Sequence, residues 1–142
     1  MTSTIHIDIV SAEEEIFSGS ATMVYAPAEM GELGIAPQHT PLMTRLKAGE
    51  VRVETEGNGE IQHFYVSGGL LEIQPHVVTV LADTALRAKD IDEANAIEAK
   101  ERAEKMLLDK SSEIDIAKAQ AELAEAMAQL RALESLRKNL KR

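Results

Sequence analysis

The chain has 142 residues, 44% of them hydrophobic and 27% charged, with a formal net charge of −9 and no cysteine. That length suits one modest domain with an appendage. The composition excludes a disulfide framework, a thiol nucleophile and a thiolate metal site, and the acidic balance argues against a nucleic-acid binder, whose phosphates demand clustered Lys and Arg.

Alternation of Ile5, Ile7 and Ile9 with His6, Asp8 and Val10 predicts a first strand with one buried face. Residues 11–15 are a polar interruption. Ile16 and Phe17 lead into an expected turn at Ser18-Gly19, and residues 21–26 form the next strand. From Pro27 to Pro41 the chain holds three Pro and two Gly, which fix the path of an expected loop. Met30, Leu33 and Ile35 in this loop either tuck inward to close one end of a sandwich or present a docking patch.

A short strand is expected over 42–46. The clearest hairpin places Val51 and Val53 on one arm and residues 61–66 on the other, with Gly57-Asn58-Gly59 at the tip. Ser67-Gly68-Gly69 closes that arm, and strands over 70–73 and 77–82 pair around Pro75-His76. Eight to ten short strands with close turns suggest an all-β sandwich or flattened barrel.

From Asp90 onward there is no Gly and no Pro. Asp90 as N-cap and Glu93 three residues on form an apparent capping box, opening a helix over 91–108. Asp109, Ser111, Ser112 and Asp115 break the pattern, and a second helix is expected over 114–139. Ile116, Leu123, Met127, Leu130 and Leu133 make an apolar stripe, continued by Leu136 and Leu140. Ala117, Ala121, Ala124 and Ala128 are read as an adjacent face that lets two helices approach closely. The fold class is therefore α+β: a sandwich of about ten short strands over 1–86, then an antiparallel two-helix hairpin over 87–142. Alanine gives high helix propensity and little apolar area. The hairpin should hold its helices firmly and its tertiary packing weakly, which makes it either a two-state element or a static appendage.

Charge follows this division. Residues 1–86 carry three basic against twelve acidic residues, whereas 87–142 carry twelve of each. Within the tail, 131–142 holds five basic residues and one acidic. That end either meets an acidic protein surface or suits a helix C-terminus. No basic run and apolar block follow Met1, so no signal segment is expected, and no window approaches the ~20 apolar residues needed to cross a bilayer. A soluble, intracellular chain is expected, able to dock on a membrane complex.

No constellation for chemistry emerges. There is no phosphate-binding glycine loop, dinucleotide fingerprint or zinc-binding histidine pair. His6, His39, His63 and His76 are scattered, and Ser67-Gly68-Gly69 lacks a nucleophile-elbow setting. Glu13-Glu14-Glu15 reads as a solvated charge run. With no Trp, two Phe and two Tyr, a base- or sugar-stacking platform is not expected. An assembly or regulatory component is indicated.

Several ordered blocks are more specific. They are 6–13 (His-Ile-Asp-Ile-Val-Ser-Ala-Glu), 17–19 (Phe-Ser-Gly), 31–42 (Gly-Glu-Leu-Gly-Ile-Ala-Pro-Gln-His-Thr-Pro-Leu) and 65–73 (Tyr-Val-Ser-Gly-Gly-Leu-Leu-Glu-Ile). To these are added 78–85 (Val-Thr-Val-Leu-Ala-Asp-Thr-Ala), 121–124 (Ala-Glu-Leu-Ala) and 128–131 (Ala-Gln-Leu-Arg). Across essentially the whole chain, this pattern resembles the epsilon subunit of bacterial F-type ATP synthase.

The resemblance implies a sandwich and helical hairpin in the rotating central stalk, at the cytoplasmic face of the bacterial inner membrane and peripheral to it. The sandwich would bind the gamma subunit on one side and the loops of the c-ring on the other, with Glu29, Glu32, Leu33 and His39 as c-ring contact candidates. Nucleotide chemistry would belong to the alpha and beta subunits, and this chain would be non-catalytic. Its hairpin would either fold on the sandwich or extend into the alpha/beta head as a brake on ATP hydrolysis. Arg131, Arg137, Lys138, Lys141 and Arg142 are the candidates for contact with beta.

Some members of that family hold ATP between sandwich and hairpin through a pattern of Ile or Leu, Asp, two variable residues, Arg and Ala. Here Ile91, Asp92, Asn95 and Ala96 occupy it, so Asn95 replaces the Arg. Glu125 and Gln129 stand where the second helix of strong binders carries Arg. An Asn supplies no guanidinium and Glu125 repels phosphate, so no cofactor is expected and ATP binding should be weak or absent. Two rival readings remain: a β-sandwich interaction module with a static helical adaptor, and a small enzyme with a pocket joining the 27–41 loop to Glu72 or His76.

Overall fold

The structure, a computed structural model, describes residues 3–57, 59–109 and 113–140. Nine strands come first: β1 (Ile5–Ser11), β2 (Glu15–Ala28), β3 (Gly31–Ile35), β4 (Leu42–Leu46), β5 (Gly49–Thr55), β6 (Ile61–Val66), β7 (Gly69–Ile73), β8 (Val77–Ala82) and β9 (Ala85–Arg87). A 3-10 turn (Ala88–Asp90) leads to α1 (Glu93–Asp109) and α2 (Glu113–Leu140). The expected α+β architecture of sandwich and helical hairpin is borne out.

The alternating residues supply the core. Ile5, Ile7 and Ile9 of β1 are buried together with Val51 and Val53 of β5, Phe64 and Val66 of β6, Leu71 and Ile73 of β7, and Val78 and Val80 of β8. Burying a side chain of this size contributes about 1.5–3 kcal/mol. β2 joins the two layers. Its first half pairs with β1 (Ile7 opposite Gly19), and its second half pairs with β3 and β5 (Val24 opposite Ile35 and Val53). One layer runs β1-β8-β7-β4 and the other β2-β5-β6-β9, with β3 beside β2.

Two expectations fail in β2 and its sequel. Ser18-Gly19 does not turn; it lies inside the 14-residue strand. The reversal falls at 11–14, closed by Ser11 N–H donating to the Glu14 carbonyl at 2.9 Å. Gly19 instead makes room for a ring: a Cβ there would sit 3.2 Å from Phe17 Cζ, and Phe17 packs on Phe64 with centroids 5.3 Å apart. The 27–41 stretch is likewise not one loop. Its first half is a tight hairpin in which Pro27 pairs with Glu32 and Ala28 with Gly31. Gly31 adopts a φ of 133° that only glycine takes easily. Pro27 has no N–H to give the ladder, but its carbonyl accepts a bond from Lys47 N–H at 3.0 Å.

The β5–β6 hairpin forms as expected, with Glu54 opposite Ile61; Asn58 lies outside the described residues. So do Ser111 and Ser112 of the interhelical break.

The helix cap moves. Asp90 ends the 3-10 turn, Ile91 is extended (φ −74°, ψ 130°), and the cap is Asp92, whose Oδ1 accepts from Asn95 N–H at 3.1 Å. Burial explains the shift: Ile91 enters an apolar cluster with Tyr65, Ala88, Ala128, Ala132 and Leu133, which outweighs a capping box at Asp90. The alanine face also differs. Ala117, Ala121 and Ala124 are exposed. The buried alanines are Ala96 and Ala103 on α1 and Ala119 and Ala126 on α2. Each pair is seven residues apart, so both fall on the seam between the helices. α1 packs mainly on α2, and α2 in turn lies across β5, β6 and the 3-10 turn.

Candidate functional site

The sandwich has two outer faces, and they differ. α2 covers the face of β5 and β6. Its Ala128, Ala132 and Leu133 meet Tyr65, Ala88 and Ile91, with Ala48 and Leu136 at the margin. The opposite face, formed by β4, β7, β8 and β1, is uncovered. Met43, Leu70 and Leu81 stand out on it and are exposed. Register places Leu81 between Leu70 and Val10, so the two leucines and the valine of that row, with Met43, make an apolar patch edged by Arg45 and Glu72. Strand alternation could have found it, since these residues fall opposite in phase to the core set.

Polar groups gather under α2. The Tyr65 phenol is pushed up to about 12, first by burial and then by the Glu125 carboxylate, with Gln129 pulling the other way. Glu125 itself is raised by burial and by the charges of Glu122 and Asp83. Farther along, His63 Nδ1 lies 3.1 Å from Glu50 Oε1, and His63 Nε2 is buried without a partner among the described residues. Arg52 bridges to Glu32 at 2.6 Å and lies 4.7 Å above the Tyr25 ring.

Between the helices runs a cleft of about 420 Å³ lined by Arg102, Lys118, Glu122, Glu125 and Gln129 with Ala99, Met106 and Ala126. Its two cations are matched by two carboxylates, so it has no net attraction for phosphate. The residues of the nucleotide-type pattern do not line it. Ile91 is buried in the junction and Ala96 in the helix seam. Asp92 caps α1, while Asn95 Nδ2 donates to Asp92 Oδ2 at 3.0 Å. Glu125 and Gln129 reach the cleft, but the structure does not bring Asp92 and Asn95 to it.

The c-ring contact candidates separate similarly. Glu29 and Glu32 are exposed at the β2–β3 tip beside Met30, which is 95% exposed. Leu33 is half-buried against the core because it stands opposite Ala26. His39 lies in the following loop, its Nδ1 2.6 Å from the Thr40 carbonyl. Among the basic residues near the C-terminus, Arg137 forms a two-pronged bond to Glu93: Nη1 donates to Oε1 at 3.0 Å and Nη2 to Oε2. Lys138 pairs loosely with Glu134 at 3.5 Å. Arg131 is exposed above a small cleft that it shares with Lys47, Glu50 and Arg52. Lys141 and Arg142 lie outside the described residues. Among the described residues no group of three or more His, Asp or Glu is placed to hold a metal, and no helix is long and apolar enough to cross a membrane.

Two family models match. The ATP synthase delta/epsilon chain β-sandwich domain covers residues 4–88, and the ATP synthase delta/epsilon chain long α-helix domain covers 89–134. The chain is 65% identical to the ATP synthase epsilon chain of Nitrosococcus oceani over 140 residues, covering 99% of both chains. It is 64% identical to that of Halorhodospira halophila, again over 99% of both. In fold it resembles a chain of the Euglena gracilis mitochondrial ATP synthase assembly of OSCP, F1 and c-ring. That likeness has a TM-score of 0.82 at 22% identity, covering 92% of this chain and 81% of the other.

Proposed function

The chain belongs to the ATP synthase delta/epsilon chain family, and from that premise we propose that it is a central-stalk subunit of a proton-translocating F-type ATP synthase. In this reading it couples the catalytic head to the membrane c-ring. It performs no catalysis of its own and restrains ATP hydrolysis through its C-terminal helices. The observation that carries it is the match of both domains along the chain, at 60% identity and above to several epsilon chains. A static adaptor without a rotary role is not favoured by relatives of this closeness.

The two outer faces divide the work. The uncovered apolar row of Met43, Leu70 and Leu81 is our assignment for the gamma-subunit contact. The β2–β3 tip, with Glu29, Met30 and Glu32, and the neighbouring His39 loop form the c-ring contact; Leu33 supports the tip from within. The chain then sits on the cytoplasmic side of the inner membrane, held there by the complex. On the other face, α2 rests on a junction made largely of alanine, and separation would carry Arg131, Arg137 and Lys138 toward the alpha/beta head. ATP is not the latch in this reading, because Asp92 and Asn95 are occupied in capping α1 and the cleft pairs its cations with carboxylates.

Reconstituted complex should hydrolyse ATP faster when the chain is truncated after Ala88 than when it is whole. Equal rates would remove the braking role and leave the stalk role standing. Failure to co-purify from membranes with alpha, beta and gamma would remove both. Calorimetric titration of the isolated protein should show no tight uptake of ATP; micromolar binding would overturn that part.

A further inference from the structure

The cations of the sandwich gather where the arm crosses it. Residues 1–86 hold three basic residues against twelve acidic ones. Two of the three, Lys47 and Arg52, line a hollow of about 270 Å³ between the β4–β5 turn and α2, and Arg131 of α2 joins them there. Small residues keep this space open: Ala48, Gly49 and Ala128 form much of the wall. A Cβ on Gly49 would stand 2.7 Å from Pro27 Cβ, so that position stays without a side chain. The acids of the hollow are already engaged. Glu32 accepts from Arg52 at 2.6 Å, and Glu50 Oε1 lies 3.1 Å from His63 Nδ1. Lys47 and Arg131 make no ion pair among the described residues. Docking thus brings two unpaired cations, one from each body, to a single hollow. Like charges so placed oppose docking unless an anion lies between them.

A second observation points the same way. An adjoining hollow of about 350 Å³ shares Arg52 and Ser135 with the first and is lined also by His63. The His63 side chain is 4% exposed, and its Nε2 is buried without a partner among the described residues. A buried nitrogen in that position calls for a partner from outside the chain, a water or a ligand. Hydrogen phosphate carries both a donor and acceptors, so it suits this ring in either tautomer. The second hollow also holds Glu54, which places an anion toward the first, at the shared wall where the Ser135 hydroxyl can donate. Tyr25 is the only Phe, Tyr or Trp lining either hollow, and the Arg52 guanidinium lies 4.7 Å over its ring. No second ring accompanies the cations to sandwich a base.

We propose that this hollow binds a small oxyanion of the inorganic phosphate class, which bridges Lys47 of the sandwich to Arg131 of α2 and so holds the hairpin docked. The holding action rests on the reading that the hairpin can leave the sandwich; the binding itself does not. A ligand that needs both walls binds the docked form alone, and it multiplies the docking constant by mass action, about tenfold at ten times its dissociation constant. It also keeps Arg131 from any other acidic surface. The site is separate from the cleft between the helices, whose cations are matched by carboxylates.

The test titrates inorganic phosphate into the full-length chain at low ionic strength, where screening is weak, and follows binding by calorimetry. Saturable uptake is expected. Lys47→Gln and Arg131→Gln should each weaken it about tenfold or more, the loss of a charge-assisted hydrogen bond. Lys47→Arg should keep it, and so should Lys89→Gln. All three positions are exposed, so the variants should fold as the parent does. No saturable uptake, or uptake indifferent to both Lys47→Gln and Arg131→Gln, overturns the site. ATP taken up in place of phosphate, with the same dependence on Lys47 and Arg131, overturns the choice of the free anion over a nucleotide. Docking is read separately. The chain has no native cysteine, so donor and acceptor dyes can be attached at Thr40→Cys and Glu101→Cys, both exposed positions. Phosphate should raise energy transfer in the parent and not in Arg131→Gln. If Ala132→Glu, which inserts charge into the junction, lowers transfer while bound phosphate leaves the parent unchanged, the arm moves and the holding action is wrong. If transfer is the same in every chain while phosphate still binds, the movable arm is wrong and the site stands.

Discussion

The sandwich core and the sandwich–hairpin junction are both dry, and they are dry for different reasons. The core is filled by Ile, Val, Leu and Phe from both layers, each contributing about 1.5–3 kcal/mol through burial. The junction is filled by Ala88, Ala128 and Ala132 around Tyr65, Ile91 and Leu133, and an alanine methyl contributes only about 0.8 kcal/mol. One region is built to stay closed. The other excludes water with little energy, and helix propensity keeps α1 and α2 folded whether or not they are docked. A movable arm on a rigid body, the reading proposed above, needs that inequality.

Enlarging the difference from the sandwich side should produce the largest effects. Ile7→Ala is expected to cost about 2–5 kcal/mol, since Ile7 is wholly buried in the core. Gly69→Ala should cost about 2–4 kcal/mol. Gly69 has a φ of 139°, and a Cβ there would lie 2.1 Å from the Leu81 carbonyl oxygen. Denaturant melts followed by circular dichroism should show the β-sheet lost early in both, and docking lost with it. If the hairpin stayed docked on an unfolded sandwich, the idea that the arm depends on the body would be wrong.

The junction should respond more locally. Leu133 is the one large aliphatic side chain that α2 buries in the junction cluster, and Leu133→Ala should weaken docking by about 2 kcal/mol without lowering the sandwich transition. Amide exchange reads this directly: protection at Tyr65 should fall while Val80 keeps its own. Equal loss at both sites would mean that sandwich and hairpin form one cooperative unit.

A pH titration is gentler still. The Tyr65 phenol, raised to about 12 mainly by burial, adds to docking below the ordinary tyrosine value. That contribution is lost as pH rises from about 10 toward 12. Ultraviolet absorbance of the docked chain should therefore show one tyrosine ionising late. In the chain truncated after Ala88 the same tyrosine should ionise near the ordinary value, because the truncation removes its cover.

How much of this could be read from sequence also divides at the junction. The core strands were legible because a half-buried strand must alternate, as Ile5, Ile7 and Ile9 of β1 and Val51 and Val53 of β5 do. The 27–41 hairpin was not, because Pro and Gly mark turns without saying that a short strand lies between them. The capping pattern at Asp90 misleads because it competes with burial of Ile91, and burial depends on a partner helix about 40 positions away. The helix seam is hidden for a related reason: with so many alanines in α2, several faces look equally small, and only packing selects Ala119 and Ala126. Of the site residues, Glu29 and Glu32 are candidates through the family resemblance alone, and the structure adds only that both are exposed at the β2–β3 tip.

The smallest expected effect concerns Arg137. Its pair with Glu93 is two-pronged, yet both side chains are largely in water, where salt screens charge and water competes for the bonds. The Glu93 carboxyl is held below its usual value chiefly by the Arg137 hydrogen bond. Whatever stability this brings is present above the ordinary glutamate value and lost as pH falls through the lowered one. Both partners belong to the hairpin, joining the start of α1 to the last turns of α2, so the pair ties helix to helix and leaves the junction untouched. Arg137→Gln should therefore change neither Tyr65 protection nor the sandwich transition, and any weakening of the hairpin should vanish in high salt. If the same substitution nevertheless speeds ATP hydrolysis by the reconstituted complex, the effect cannot come from docking. It must come from a contact that Arg137 makes only after it leaves Glu93, which is what an arm reaching an acidic surface of the catalytic head requires.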